Sequence, residues 1–346
     1  MILALETSCD DTCAAVLDGD GRMLANVISS QQAHARFGGV VPEIAARHHL
    51  ELVNLIVERV LAQAAVTLDD VELVAATQGP GLVGALLVGL SFAKALAAAR
   101  ELPFAAVDHL QGHVAANFLA VEGAGAGFEP PFLCLIASGG HTLLAHVSEH
   151  DGFEVLGRTL DDAAGEAFDK GARMLGLGYP GGPALERLAA DGDPRAFAFP
   201  GSAAERARGG RGARHSAFAQ GLDFSFAGLK TALLYKLREL PPADAQARAP
   251  DLAASYQAAI VDSLLANVER ALARTGIERL AVGGGVAVNG ELRRRLRELD
   301  TALHIPPPAL CTDNAAMIAS AARFGERLAY PGYLTLDAYA TGERRH

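Results

Sequence analysis

The sequence predicts an α/β protein made of two copies of one module, and three observations carry that prediction. Leu3 and Leu133, Leu5 and Leu135, Ser8 and Ser138, and Thr12 and Thr142 each stand 130 residues apart. Four matches in one register, set within similar strand–turn–strand patterns, indicate an internal duplication. Short apolar runs alternate with longer helical patterns, the order expected of strands joined by helical crossovers. Finally, 346 residues are too many for one compact core, while 50% hydrophobic and 20% charged residues make the chain globular rather than disordered.

The first module opens with an apolar run from Ile2 to Leu5 and the polar turn Glu6-Thr7-Ser8-Cys9-Asp10-Asp11-Thr12. A second run from Cys13 to Leu17, the tight turn Asp18-Gly19-Asp20-Gly21 and a third run from Met23 to Ile28 follow. The second module repeats the design. Phe132 to Ile136 is apolar, Ala137-Ser138-Gly139-Gly140-His141-Thr142 is the polar turn, and Leu143 to Val147 continues to Asp151-Gly152 and Phe153 to Leu156. Turns rich in Ser, Thr and Gly expose backbone N–H groups that suit phosphates, although two ordinary β-hairpins would look the same.

Between the modules, Pro42 to Ala65 is helical, with Pro at its start and Ile44, Leu52, Leu55, Ile56 and Val60 as apolar positions. A strand from Val71 to Ala76, the loop Thr77-Gln78-Gly79-Pro80-Gly81 and a nearly all-apolar helix from Leu82 to Arg100 come next. The uncharged run from Leu73 to Ala93 has the length of a membrane span. Its Pro80 and glycines favour strand, loop and buried helix instead.

Phe104 to Val107 is a strand that feeds a helix carrying His109 and His113. Four-residue spacing stacks two imidazoles on one face, with Cβ atoms roughly 6 Å apart. Such a pair can share a metal ion if a third ligand arrives from elsewhere. His146 and His150 have the same spacing in a strand entering a turn, so spacing alone does not define a site. Asp313, in Thr312-Asp313-Asn314 ahead of a helix, is the natural third ligand; an N-cap role suits it equally, and the two roles can coexist.

Within the second half lie Asp161-Asp162 and Asp169-Lys170, where Asp169 could simply pair with Lys170, and the loop from Gly178 to Pro183. Gly201 to Gly221 reads as a surface loop whose arginines could instead meet a nucleic-acid backbone. A helix starts near Phe224, Pro241-Pro242 breaks it, and a long amphipathic helix runs from Leu252 to Arg274. A buried strand from Leu280 to Val282 leads into Gly283-Gly284-Gly285-Val286-Ala287-Val288-Asn289 and a helix from about Glu291. That arrangement lets a nucleotide lie against backbone and helix N-terminus, but it is neither G-x-G-x-x-G nor a Walker loop. Arg293, Arg294, Arg295 and Arg297 form either a solvated face or a second basic patch.

A net charge of −10 argues against binding polyanions through a wholly basic surface. Cys9, Cys13, Cys134 and Cys311 contain no C-x-x-C pair and suit reduced thiols, so a soluble, cytoplasmic protein is expected.

Taken in order, Glu6 to Thr12, Gln78-Gly79-Pro80-Gly81, His109-x-x-x-His113, Ser138 to Thr142, Asp161 to Lys170, Tyr179 to Pro183, Gly283 to Asn289 and Thr312-Asp313-Asn314 closely resemble the bacterial TsaD family. These are the tRNA adenosine threonylcarbamoyltransferases, formerly described as O-sialoglycoprotein endopeptidases. The resemblance implies two duplicated ribonuclease-H-like lobes of the actin-like ATPase fold around a nucleotide and metal cleft. The expected lobes are residues 1–108 with 314–346, and 109–313. It implies one divalent metal ion, iron or zinc, on His109, His113 and Asp313. It further implies a threonylcarbamoyl-adenylate on Ile136, Ala137, Ser138, Gly139, Gly140, Asp169, Gly182 and Asn289. The ATP/AMP-type nucleotide would lie near Ser8, Gly283, Gly284 and Gly285, and Asp10 is the carboxylate expected near the chemistry. Gly178 stands where the resemblance leads one to expect an acidic residue and Glu186 where some relatives carry Asp, so neither receives a role.

The implied reaction is acyl transfer to the exocyclic amine of adenosine 37, beside the anticodon of tRNAs reading ANN codons, with AMP leaving. The implied partners are tRNA, a TsaB-like paralogue in a heterodimer, a TsaE-like ATPase and a TsaC-type enzyme that supplies the adenylate. Two other classes were open to the sequence: a metalloprotease and a non-catalytic nucleotide-binding chaperone subunit. The H-E-x-x-H proteases need a glutamate beside the first histidine, and here that position is Leu110.

Overall fold

The computed structural model describes residues 1–120, 128–202, 204–205 and 221–340. By internal contacts the chain forms two units. One comprises Met1–Pro130, Val147–Phe153 and Pro306–His346, the other Pro131–His146 and Glu154–Ile305. Most of the arginine-rich loop 203–215 lies outside the described residues.

The first unit holds a sheet of β1 (Ile2–Glu6), β2 (Asp11–Leu17), β3 (Met23–Ser30), β4 (Leu73–Gly79) and β5 (Phe104–Asp108), in the order β3-β2-β1-β4-β5. The two hairpin pairings are antiparallel, and β1–β4 and β4–β5 are parallel. Helices α1 (Pro42–Ala64) and α2 (Val83–Ala99) supply the crossover layer. Leu3, Leu5, Val16 and Val74 from the strands meet Val53, Ile56, Val60 and Leu90 from these helices in one core. Gly89 permits the close approach of α2, since a Cβ there would collide with the Thr7 side chain. Helix α3 (His109–Ala115) continues from β5.

The second sheet contains β6 (Phe132–Ala137), β7 (Thr142–Glu149), β8 (Gly152–Arg158), β9 (Arg279–Gly283) and β10 (Ala302–His304), in the order β10-β9-β6-β7-β8. From its other edge this is the permutation of the first sheet. The repeat also holds residue by residue: Leu3 pairs with Val74 and Leu5 with Ala76, while Leu133 pairs with Leu280 and Leu135 with Val282. The expected duplicated α/β architecture is therefore present. Strand β10 has no counterpart in the sequence reading, because three residues at a sheet edge are too short to show a period.

Helices α4 (Ala164–Met174), α5 (Gly181–Ala189), α6 (Ala227–Glu239), α7 (Pro242–Ala247), α8 (Ala249–Thr275) and α9 (Gly290–Leu296) complete the second unit. The chain then returns to the first unit with α10 (Pro308–Cys311) and α11 (Ala315–Ala322). The unit boundary follows packing: α3 rests on α11, and a Cβ at Gly112 would lie 2.8 Å from Ile318 Cδ1. His109–Pro130 thus groups with the first unit, whereas the sequence reading opened the second lobe at His109. Among the described residues no helix is long and apolar enough to cross a membrane, which disposes of the run from Leu73 to Ala93 as a helical span.

Candidate functional site

Asp108 ends β5 and caps α3, its Oδ1 accepting the N–H groups of Leu110 (2.8 Å) and Gln111 (3.1 Å). With the first turn fixed in this way, His109 and His113 project together, ring centroids 4.7 Å apart at 77°. Asp313 arrives from the turn between α10 and α11. Its Oδ1 lies 3.6 Å from His109 Nε2 and 3.3 Å from His113 Nε2. One ligand atom from each of the three residues falls within 4.8 Å of the others, all inside the first unit. The N-cap of α11 belongs to its neighbour Asn314, whose Oδ1 accepts from Met317 N at 3.0 Å. Asp313 therefore turns to the histidines rather than to the helix end.

The donor set fits a divalent transition metal. Two imidazoles and a carboxylate are the three-ligand pattern that leaves a position open. Metal–ligand bonds of about 2.1 Å in tetrahedral array require ligand separations of roughly 3.4 Å, close to the two Asp313 distances. His113 supplies the sharper test. It is wholly buried, yet neither ring nitrogen makes a hydrogen bond among the described residues. Leaving such a group unsatisfied costs about 1–3 kcal/mol, and coordination of one nitrogen would relieve part of that.

Behind His109 stands Glu6, the last residue of β1 and wholly buried. Its Oε2 lies 2.9 Å from His109 Nδ1 and accepts Thr77 Oγ1 at 2.6 Å, while Oε1 accepts the Ser8 N–H. Burial works against both charges. For His109 the carboxylates of Asp313 and Glu6 outweigh it and push the imidazole up to about 9; for Glu6 the His109 contact and the Thr77 bond win, and its carboxyl is held low. Asp11 goes the other way. Burial raises it to about 7 against a Ser30 hydrogen bond, with Asp313, Asp10 and Glu6 adding repulsion. Burial also pushes the Cys9 thiol far up, as do Asp10 and Asp313, so it is not a nucleophile here. Asp10 and Asp313 thus act on the same two neighbours, Cys9 and Asp11. Ser8, expected near a nucleotide, has its hydroxyl 3.2 Å from His109 Nδ1.

The second unit gathers the glycine turns. Ile136 and Ala137 are buried in β6, and Ser138 closes the following turn with His141 through N–H to carbonyl (2.8 Å) and N–H to Oγ (3.1 Å) bonds. A Cβ at Gly139 or Gly140 would meet nothing within 4 Å, so the turn is open to an approaching ligand. Gly283 ends β9 beside it, and Gly284, at φ +87°, touches Ala137 so closely that a Cβ would strike its carbonyl. Gly285 starts the next turn. The parallel strands β6 and β9 thus end together in backbone N–H groups, the usual ligand edge of an α/β sheet.

Asp169, Gly182 and Asn289 have defined local work. Asp169 Oδ1 accepts from Gly181 N (2.8 Å) and Gly182 N (3.2 Å), so residues 181–183 form the first turn of α5 rather than the expected loop. Lys170 pairs with Asp162 and Glu166, at 2.7 Å each. Asn289 caps α9, accepting from Leu292 N at 2.9 Å and donating to Gln257 Oε1 at 2.9 Å. Glu186, left without a role by the sequence, accepts the Gly290 N–H at 2.7 Å and joins α5 to α9. Glu6 also escaped the sequence reading as a partner of His109, because 103 residues separate them and no spacing rule links a strand end to a distant helix. The second histidine pair does not repeat the first: His150 pairs with Glu129 at 2.8 Å and stacks on Phe324.

Comparison with known proteins agrees with this architecture. The family model described as TsaD, tRNA N6-adenosine threonylcarbamoyltransferase, matches residues 22–320. The protein of that name from Pelobacter propionicus is 48% identical, over 99% of this chain and 96% of its own. That from Symbiobacterium thermophilum is also 48% identical, over 98% and 95%. Two solved structures share the fold at low identity. T. kodakarensis HypF superposes with a TM-score of 0.60 at 14% identity, over 96% of this chain and 48% of its own. Component A of (R)-2-hydroxyglutaryl-CoA dehydratase from Acidaminococcus fermentans gives 0.53 at 15%, over 96% and 98%. A duplicated α/β fold, a two-histidine and one-aspartate centre, and a family match across most of the sequence together make this chain a member of the TsaD family of tRNA N6-adenosine threonylcarbamoyltransferases.

Proposed function

We propose that the chain transfers a threonylcarbamoyl group from threonylcarbamoyl-adenylate to the exocyclic N6 amine of adenosine 37 in tRNAs reading ANN codons, releasing AMP. The observation that carries the reading is the convergence of His109, His113 and Asp313 in a chain that matches this transferase family at nearly full length. His109, His113 and Asp313 hold one iron or zinc ion, which when bound supplies Lewis acidity or a fixed point for the threonyl group.

An exocyclic adenine amine is a weak nucleophile, so the acyl carbon must be made more electrophilic and the amine held in line. Backbone N–H groups of the turns 137–140 and 283–285 stabilise negative charge that develops on oxygen as the amine attacks. With Ile136, Ser138, Asp169, Gly182 and Asn289 they hold the adenylate, and Ser8 is a further nucleotide-binding residue. Asp10 orients the amine or accepts its proton. The C–O bond to the adenylate phosphate breaks, and AMP carries away the negative charge.

The partners in this reading are tRNA, a TsaB-like paralogue, a TsaE-like ATPase and a TsaC-type enzyme that makes the adenylate; the setting is the cytoplasm. Purified protein given labelled tRNA, the adenylate and these partners yields modified tRNA. A cleaved glycoprotein instead would favour the protease class, and neither product the chaperone class.

A further inference from the structure

We infer that Glu6 is a positioning residue that fixes the His109 imidazole for metal binding, so that the end of strand β1 sets the geometry of a centre carried on α3. The inference rests on the reading of His109, His113 and Asp313 as ligands. Glu6 is wholly buried and receives three donors from three places: Ser8 N from the turn after β1, Thr77 Oγ1 from β4 at 2.6 Å, and His109 Nδ1 from α3 at 2.9 Å. An ionised carboxylate only accepts, so the nitrogen it faces must carry the hydrogen. Nδ1–H held by Glu6 makes Nε2, the nitrogen directed at Asp313, the one that gives up its proton and offers a lone pair when a metal ion binds. Ser8 Oγ, 3.2 Å from the same Nδ1, cannot impose that choice, because a hydroxyl both donates and accepts.

The two imidazoles are therefore not equivalent. His113 has no hydrogen-bond partner on either nitrogen among the described residues. His109 arrives with tautomer and ring plane already set, while His113 acquires its orientation from packing. Outer carboxylates behind ligating histidines change metal affinity by roughly 10–100-fold, and Glu6 is the group on which such an effect would fall here.

The test is metal affinity of the full chain, measured with Zn2+ or Co2+ against a chromophoric chelator, alongside thermal unfolding of the metal-free protein. Glu6→Gln is expected to weaken binding by about 10–100-fold. Thr77→Val, which removes one donor to Glu6 and leaves the carboxylate, is expected to weaken it by roughly threefold on the same scale. Wild-type affinity in folded Glu6→Gln, or in Thr77→Val where Glu6→Gln does not fold, overturns the inference. So does a loss of metal-free stability with metal affinity unchanged, the signature of a purely structural carboxylate. A wild-type chain that takes up no ion overturns the ligand reading first, which is distinguishable from a variant that binds as the wild type does.

Discussion

His113 and Asp313 define the residue scale because each is left with an unusual assignment. A wholly buried imidazole without hydrogen bonds supplies packing to the metal-free fold but no polar stabilisation. His113→Ala should therefore abolish metal uptake, read as ion content per chain, out of proportion to its effect on metal-free stability. A variant that retains a full equivalent of ion would remove His113 from the ligand set. Asp11 yields a pH prediction. In the unfolded chain it titrates near 3.8, in the fold near 7. The folded state holds a proton that the unfolded state has already released, so the stability present below pH 4 is lost as pH rises through 7. Asp11→Asn removes this loss. Its unfolding free energy relative to wild type should rise between pH 4 and 7, by about 2–4 kcal/mol at ~1.4 kcal/mol per unit with allowance for partial exposure. Urea titrations at several pH values measure it, and a gap that does not widen contradicts the burial of Asp11.

At the scale of elements, the centre depends on how closely α3 approaches α11. Gly112 sits between the two histidines, and a Cβ there would lie 2.8 Å from Ile318 Cδ1 and 3.3 Å from Met317 Cγ. Ser320 Oγ also donates to the Ala115 carbonyl at 2.8 Å, binding the same pair of helices. Gly112→Val should cost about 1–3 kcal/mol through overpacking and weaken metal binding with both histidines present. Chemical denaturation and a metal titration check the two halves; a variant with intact affinity would show that the spacing of α3 and α11 does not set the site. Asn314→Ala should cost about 1 kcal/mol as a lost N-cap, measurable by the same denaturation.

Element types were largely legible in the sequence, because apolar runs, prolines and glycine turns report local conformation. His109 and His113 were legible as a pair for the same reason. Asp313 was visible as a carboxylate beside a helix start, but which of Asp313 and Asn314 capped the helix depended on side-chain direction. Glu6 was not legible at all, nor was the role of Asp169 at the head of α5, since each acts on an element remote in sequence.

Over the whole molecule, two units with one sheet permutation have diverged in chemistry. The turn after β1 surrounds a carboxylate, a histidine centre and the acids Asp10 and Asp11, while the equivalent turn after β6 is open glycine backbone beside Gly283–Gly285. The 130-residue register exposed the duplication because strand pairing preserves apolar positions. It did not expose the division of labour, which lies in the polar residues that the duplication left free to change.

The most direct test of the account is nucleoside analysis of tRNA after reaction with threonylcarbamoyl-adenylate and the partner proteins, comparing wild type with Asp10→Ala and Asp313→Asn. The account predicts threonylcarbamoyladenosine from the wild type, none from folded Asp10→Ala, and none from Asp313→Asn, which should also have lost its metal. Full modification by an Asp313→Asn protein shown to be free of metal would contradict it.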